Sequence, residues 1–229
     1  AHRFSVQRPD MNNPKRWGFF SPQAEANLQS IMGLQTWNSI RSLDFLLTLP
    51  DIDPERLSIT GASGGGTQSF MMGALDDRLA ACFPAVMVST AMQGGCTCEN
   101  ASGLRIPVGN VEIAALVAPK PLGMTGANDW TVEMSTKGFP ELKKLFGLYD
   151  REDYVSLAQL NQFGHNYNYV SRSAMYHFMN RHLNLNLSVP IVEQDYKRLN
   201  KPELTVWSSG HKTPDGGPDF ERDLIQHWH

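Results

Sequence analysis

The stretch "RLSITGASGGGTQSF", residues 56 to 70, constrains this chain more than any other. Leu57 and Ile59 alternate with polar neighbours, as in a strand, and a helical apolar pattern resumes through Phe70, Met71 and Ala74. Between them stand small residues around Ser63. Gly61, Ser63 and Gly65 form a G-x-S-x-G spacing, which holds a serine on a cramped strand-to-helix turn because small neighbours let strand and helix approach. The bare spacing arises by chance in about one chain of this length in twelve. The strand before it and the helix after it raise its weight. The bland alternative is an ordinary turn serine. On the functional reading, the Gly64 amide at the start of the helix points at developing negative charge.

A serine needs a base to take its proton and a third group to hold that base. In the order Ser, acid, His, both partners follow the nucleophile in loops after strands. Asp129 in "GANDW" and His165 in "FGHNYN" meet that demand. Each has a plainer reading, Asp129 as a turn cap and His165 as the start of the next helix. Glu99 is the rival acid, from a neighbouring strand end. His177 and His182 fall in or at the end of a helix, where packing or a charge at the helix terminus suits them better. Trp130, Tyr167 and Tyr169 flank the candidate site and could stack on a sugar or pack in the core.

Around this constellation the chain alternates helix and strand. A 3.6-residue apolar repeat from Ala24 to Leu47 predicts one long helix ending by Pro50, after a loop over residues 1 to 22. Further strands are expected over 80 to 88, despite Pro84, over "PKPLGMTGA", and over 154 to 160. Helices are expected over 66 to 76, 133 to 149 and after "FGHNYN". Residues 111 to 117 are short and apolar, and no internal repeat is present. This order predicts an α/β class with a mostly parallel sheet covered on both faces. A chain of 229 residues, 41% hydrophobic, can bury such a core, and residues 1–187 are assigned to it. Residues 188–229 are polar and rich in Pro and Gly, and are expected to be a tail or linker toward a further domain.

The formal net charge of −3 gives no support to nucleic-acid or anionic-membrane binding. No run of apolar residues is long enough to span a membrane, and the chain shows no signal peptide. Cys82, Cys96 and Cys98 are an odd set without the framework of a disulfide-stapled scaffold. Cys96 and Cys98 could belong to a soft-metal site, but no second close pair completes four ligands, so no metal is expected. The plainer reading leaves them in a loop, bridged elsewhere or free.

At these residues the sequence resembles an α/β-hydrolase, and within it the acetyl xylan esterase-like branch that borders the glucuronoyl esterases. The resemblance covers roughly residues 20 to 187: "MGLQTWNSIRSLDFL", "GASGGG", "GGCTCENA", "APKPLGMTGANDW" and "QFGHNYN". It implies Ser63 as nucleophile, Asp129 as acid, His165 as base and an ester of a small acid or acylated plant carbohydrate as substrate. It implies no cofactor and a secreted or periplasmic location. In such hydrolases several strands and a second oxyanion-hole amide precede the nucleophile. Only 62 residues precede Ser63 here, so the resemblance implies a partial domain completed by an amino-terminal segment or a second chain. "GASGGG" also resembles the prolyl oligopeptidase-like group, which would take a peptide. A hydrolase-fold binding module without catalysis is the remaining alternative.

Overall fold

The computed structural model describes residues 18–91, 94–213 and 219–228. The chain divides into two compact units, residues 30–191 and the flanking residues before 30 and after 191.

The larger unit runs α2 (Ile31–Leu46), β1 (Ser58–Ala62), α3 (Gly64–Leu75), β2 (Ala81–Ala85), α4 (Asn110–Ala115), β3 (Leu122–Ala127), α5 (Gly138–Gly147), β4 (Val155–Leu160) and α6 (Tyr169–His182). The four strands lie in chain order, β1-β2-β3-β4, and every pairing is parallel. Parallel neighbours need crossovers, and here helices supply them. Strand side chains alternate between faces. Cys82, Leu122, Met124 and Val155 therefore face a core with Phe70 and Met71 of α3, Val111 and Ile113 of α4, and Leu142 and Phe146 of α5. Ala81 and Phe83 face the other way, onto Phe178 and Met179 of α6. Both faces of β2 and β3 are thus covered, as the alternation of elements predicts, while β1 keeps exposed residues.

Pro84 is accommodated inside β2 by the hydrogen-bond alternation. The Cys82 N–H donates to Pro121 O and the Val86 N–H to Thr125 O, so the intervening donor position toward β3 falls on Pro84, which has no N–H. The ladder to β3 accordingly pairs only at Cys82 with Leu122 and Ala85 with Thr125.

Two expectations need correction. The single helix expected from Ala24 to Leu47 is two, α1 (Pro22–Ala26) and α2. Leu28 adopts φ 55°, which ends a right-handed helix, and the Ser30 hydroxyl then accepts the Gly33 N–H to start the next one. The apolar period runs through the break because caps interrupt a helix without altering the hydrophobic count. Residues 110–115 form α4, a helix missing from the expected element order, since six residues are too few to show a period.

The smaller unit holds α1, α7 (Lys201–Leu204) and α8 (Phe220–Trp228). Within it the Phe19 N–H donates to Glu221 Oε1 at 2.8 Å, and Gln29 Nε2 donates to Ile225 O at 3.0 Å. The loop expected over residues 1–22 lies outside the described residues up to residue 17.

Candidate active site

Ser63 sits between β1 and α3 with φ 57° and ψ −124°, backbone angles that a non-glycine residue holds only under strain of order 1–3 kcal/mol. Both its backbone groups are fixed. Its N–H donates to Ala85 O at 3.1 Å, and its carbonyl accepts the Thr67 N–H at 2.9 Å. The glycines around it differ in necessity. A Cβ on Gly61 would lie 2.6 Å from Gly65 O, and one on Gly66 would lie 2.8 Å from both Ala85 O and Met87 Cβ. A Cβ on Gly65 would meet open space. The first glycine of the motif and the one beyond it are thus what let α3 start against the sheet, while Gly65 matters through its own backbone. The helix that follows opens, as every helix does, with amides that have no partner within the helix.

Asp129 follows β3 and His165 follows β4. The two strands pair along their length, ending at Ala127 with Leu160, and the Asn128 N–H donates to Phe163 O at 2.8 Å. This brings residues 36 apart in sequence together: His165 Nδ1 lies 2.8 Å from Asp129 Oδ2. The acid is buried, with 6% of its side chain exposed, while 35% of the histidine side chain is exposed. Asp129 Oδ1 accepts the Thr131 N–H at 2.8 Å and the Thr131 hydroxyl at 2.5 Å. That hydroxyl also accepts the Ala127 N–H at 2.9 Å. With both carboxylate oxygens engaged, the arrangement favours the tautomer in which Nδ1–H donates to Asp129 and Nε2 is left to accept a proton. The Trp130 ring packs on the imidazole, with centroids 4.4 Å apart, and the Trp130 carbonyl accepts the Ser89 hydroxyl. Ser63 Oγ makes no hydrogen bond to His165 among the described residues, a bond that in unliganded sites is often long.

Glu99, the rival acid, is buried but engaged elsewhere. Its Oε2 accepts the Gly95 N–H at 2.6 Å, and its Oε1 lies 3.5 Å from where a Cβ on Gly64 would stand. Cys96 and Cys98 are bonded to each other in a disulfide. They and Glu99 cluster within 4.8 Å, but bonded sulfurs offer a cation no thiolate. Tyr167 packs against the cluster of Ala85, Val86 and Ala127, and its hydroxyl bonds Thr60 Oγ1 at 2.6 Å. Burial pushes its pKa up. Tyr169 opens α6 and is exposed. His177 is held between Ser173 O and the Ile191 N–H, and His182 lies against Tyr154 and Phe178. Both fill the packing roles expected of them. Sequence reasoning overlooked Thr131: an Asp in a turn accepts the N–H two residues on, which points to position 131, but nothing local singles out the Thr131 hydroxyl.

No family model matches the chain. A methylesterase, BT1017, superposes with a TM-score of 0.63 at 31% identity, covering 75% of this chain and 39% of that one. A family 15 glucuronoyl esterase from Caldicellulosiruptor kristjansonii superposes with a TM-score of 0.61 at 18% identity, over 82% of this chain and 59% of that one. The glucuronoyl esterase catalytic domain of Hypocrea jecorina gives 0.57 at 17% identity, over 90% and 69%. The Bacillus subtilis (strain 168) protein YtaP, whose name assigns it only provisionally to the hydrolases, is 28% identical over 76 residues, or 29% of this chain and 25% of its own length. The chain therefore spans well under half of the methylesterase and less than two thirds of the bacterial glucuronoyl esterase. A parallel sheet with helices on both faces, a serine held at positive φ between strand and helix, and these likenesses together make the chain an α/β-hydrolase by fold.

Proposed function

We propose that the chain is a serine carboxylic ester hydrolase acting on an esterified carbohydrate. The observation that carries this reading is the Asp129–His165 pair, with both carboxylate oxygens fixed, at the same carboxyl edge of the sheet as the strained Ser63. His165 Nε2 takes the Ser63 proton as Oγ attacks the ester carbonyl, and Asp129 stabilises the imidazolium that forms. The Gly64 N–H donates to the oxyanion. His165 then gives the proton to the leaving alcohol, and a water activated by the same nitrogen releases the acid.

The carbohydrate part of the reading is supported by the neighbours. A glucuronoyl esterase from Sporotrichum thermophile, 18% identical with a TM-score of 0.55, is known in complex with methyl 4-O-methyl-β-D-glucopyranuronate. Acetyl esters of plant polysaccharide are the other substrate the sequence resemblance implies, and Trp130, which packs on His165 and against the core, is the aromatic residue this reading assigns to a sugar ring. An amino-terminal segment or second chain completing the domain belongs to this reading as well. So does a location outside the cytoplasm, which the Cys96–Cys98 disulfide suits. Among the described residues no helix is long and apolar enough to cross a membrane.

The test is intact mass after incubation with a fluorophosphonate, followed by turnover of acetylated xylan oligomers and methyl glucuronate side by side. A single adduct on the chain, absent from Ser63→Ala, with hydrolysis of either ester is the expected result. Turnover of a peptide but neither ester would replace esterase by peptidase. No adduct on a folded chain would leave a binding module.

A further inference from the structure

The loop between β2 and α4 carries the disulfide, and hydrogen bonds fix Glu99 within it, its Oε2 accepting the Gly95 N–H and its own N–H donating to Cys96 O. On one side Asn100 Nδ2 donates to Gly94 O and Cys96 O, and Arg105 Nη1 donates to Glu99 O and Asn100 Oδ1. Arg105 Nε also donates to Asn110 Oδ1, and Asn110 Nδ2 to Met87 O, which ties this side to the end of β2. The other side faces α3. A Cβ on Gly64 would lie 3.5 Å from Cys98 Sγ and 3.5 Å from Glu99 Oε1. The disulfide and the buried carboxylate thus line the space that a side chain on Gly64 would enter, beside the residue whose amide the esterase reading assigns to the oxyanion.

We propose that the Cys96–Cys98 disulfide is a positioning element of this site, holding Cys98 beside Gly64, so that its reduction slows reaction at Ser63 without unfolding the chain. The inference rests on the reading of Ser63 as nucleophile. An oxyanion donor works only when fixed in place before charge develops, and about half an ångström of slack degrades it. Cleaving the bond lets the two sulfurs move apart to van der Waals separation, and that movement falls on the side facing Gly64. The Asn100 and Arg105 bonds do not depend on the disulfide, so the loop stays attached. Cys96 is exposed and Cys98 half-buried, which makes Cys96 Sγ the sulfur a reductant reaches. A dithiol's thiolate attacks it, Cys98 leaves as thiolate and is protonated, and the reductant's second thiol displaces Cys96 as its own disulfide closes. The protein gains two electrons and two protons, and the dithiol loses them. Cys82 is buried, and its thiol donates to Ser69 O at 3.0 Å, so it stays out of the exchange.

The experiment uses the full chain, oxidised and after dithiothreitol treatment and removal, with accessible thiols counted in the folded state. Fluorophosphonate labelling of Ser63 is timed by intact mass, and kcat and KM are measured on the ester found above. Two new thiols, labelling and kcat lowered roughly tenfold or more, KM within about twofold, unchanged far-UV circular dichroism and recovery on reoxidation are expected. Cys98→Ala should match the reduced chain with or without reductant. Two thiols with unchanged labelling would overturn the proposal, and so would loss of activity together with loss of fold. Thiols already free in the untreated folded chain would also overturn it. Failure of the oxidised chain to label shows before any reductant is added; it defeats the nucleophile reading and this inference with it.

Discussion

The edge strand β1 and the interior strand β3 hold residues of the candidate site in different ways. β3 is buried at all six residues and pairs on both sides, with β2 and with β4. β1 has no fully buried residue and pairs only with β2 among the described residues. Yet Ser63 sits at the end of β1 and Asp129 just beyond β3. The acid is held by a packed scaffold and three hydrogen bonds to its carboxylate, the serine by backbone strain and the close approach of Gly61 and Gly66 to their neighbours. One part of the site relies on tertiary packing, the other on local sterics. Parallel sheets are ordinarily covered throughout, so the exposed edge strand is the one whose geometry depends most on the turn itself.

The sharpest way to probe this contrast is to remove the reacting groups. Ser63→Ala should lower ester turnover by about 10⁶-fold and abolish the fluorophosphonate adduct, with the fold retained. Asp129→Asn should cost about 10⁴-fold, because an amide facing Nδ1 favours the wrong tautomer. Glu99→Gln, which leaves the His165 partner untouched, should cost far less. If steady-state kinetics show the two acids reversed, the acid does not reside beyond the buried interior strand β3.

Stability measurements separate local sterics from packing. Gly61→Ala and Gly66→Ala force contacts with backbone or a buried Cβ and should each destabilise the chain by about 1–3 kcal/mol in denaturant titration, with activity falling in parallel. Gly65→Ala should be close to neutral, since its Cβ enters open space. Equal costs at all three positions would mean that the turn is not governed by close approach. Beyond the interior strand β3, Thr131 is fully buried. Thr131→Val should cost about 1.5–3 kcal/mol, because it removes a hydrogen bond to a charged group and leaves the Ala127 N–H unpaired.

The smallest expected effect is on pH. Burial, with Arg181 adding to it, lowers the pKa of His182 on α6, so the unfolded chain binds this proton more readily than the folded one. Its contribution to stability is present above the unfolded value of about 6.5 and is lost as pH falls through the depressed folded value. His182→Gln should flatten that slope in chemical denaturation between about pH 7 and 5. An unchanged slope would place the titrating group elsewhere.

Much of the fold was legible because contiguous residues carry it. The strand, turn and helix around Ser63 follow from alternation, small residues and a resumed helical period, and the parallel sheet from the order of elements. The break between α1 and α2 was missed because a period of apolar residues is blind to a cap, although Ser30 and Gly33 were there to be read. The helix α4 was too short to declare itself.

By itself the sequence determined the cramped setting of Ser63 and the order in which Ser63, Asp129 and His165 occur, since both depend on residue size and spacing along the chain. Tertiary structure alone decided that Asp129 rather than Glu99 meets His165, that Cys96 joins Cys98, and that Tyr167 turns its hydroxyl to Thr60. These are contacts between side chains brought together by the β3–β4 register, by loop closure and by packing, and no local rule specifies which of two nearby partners lies within 3 Å.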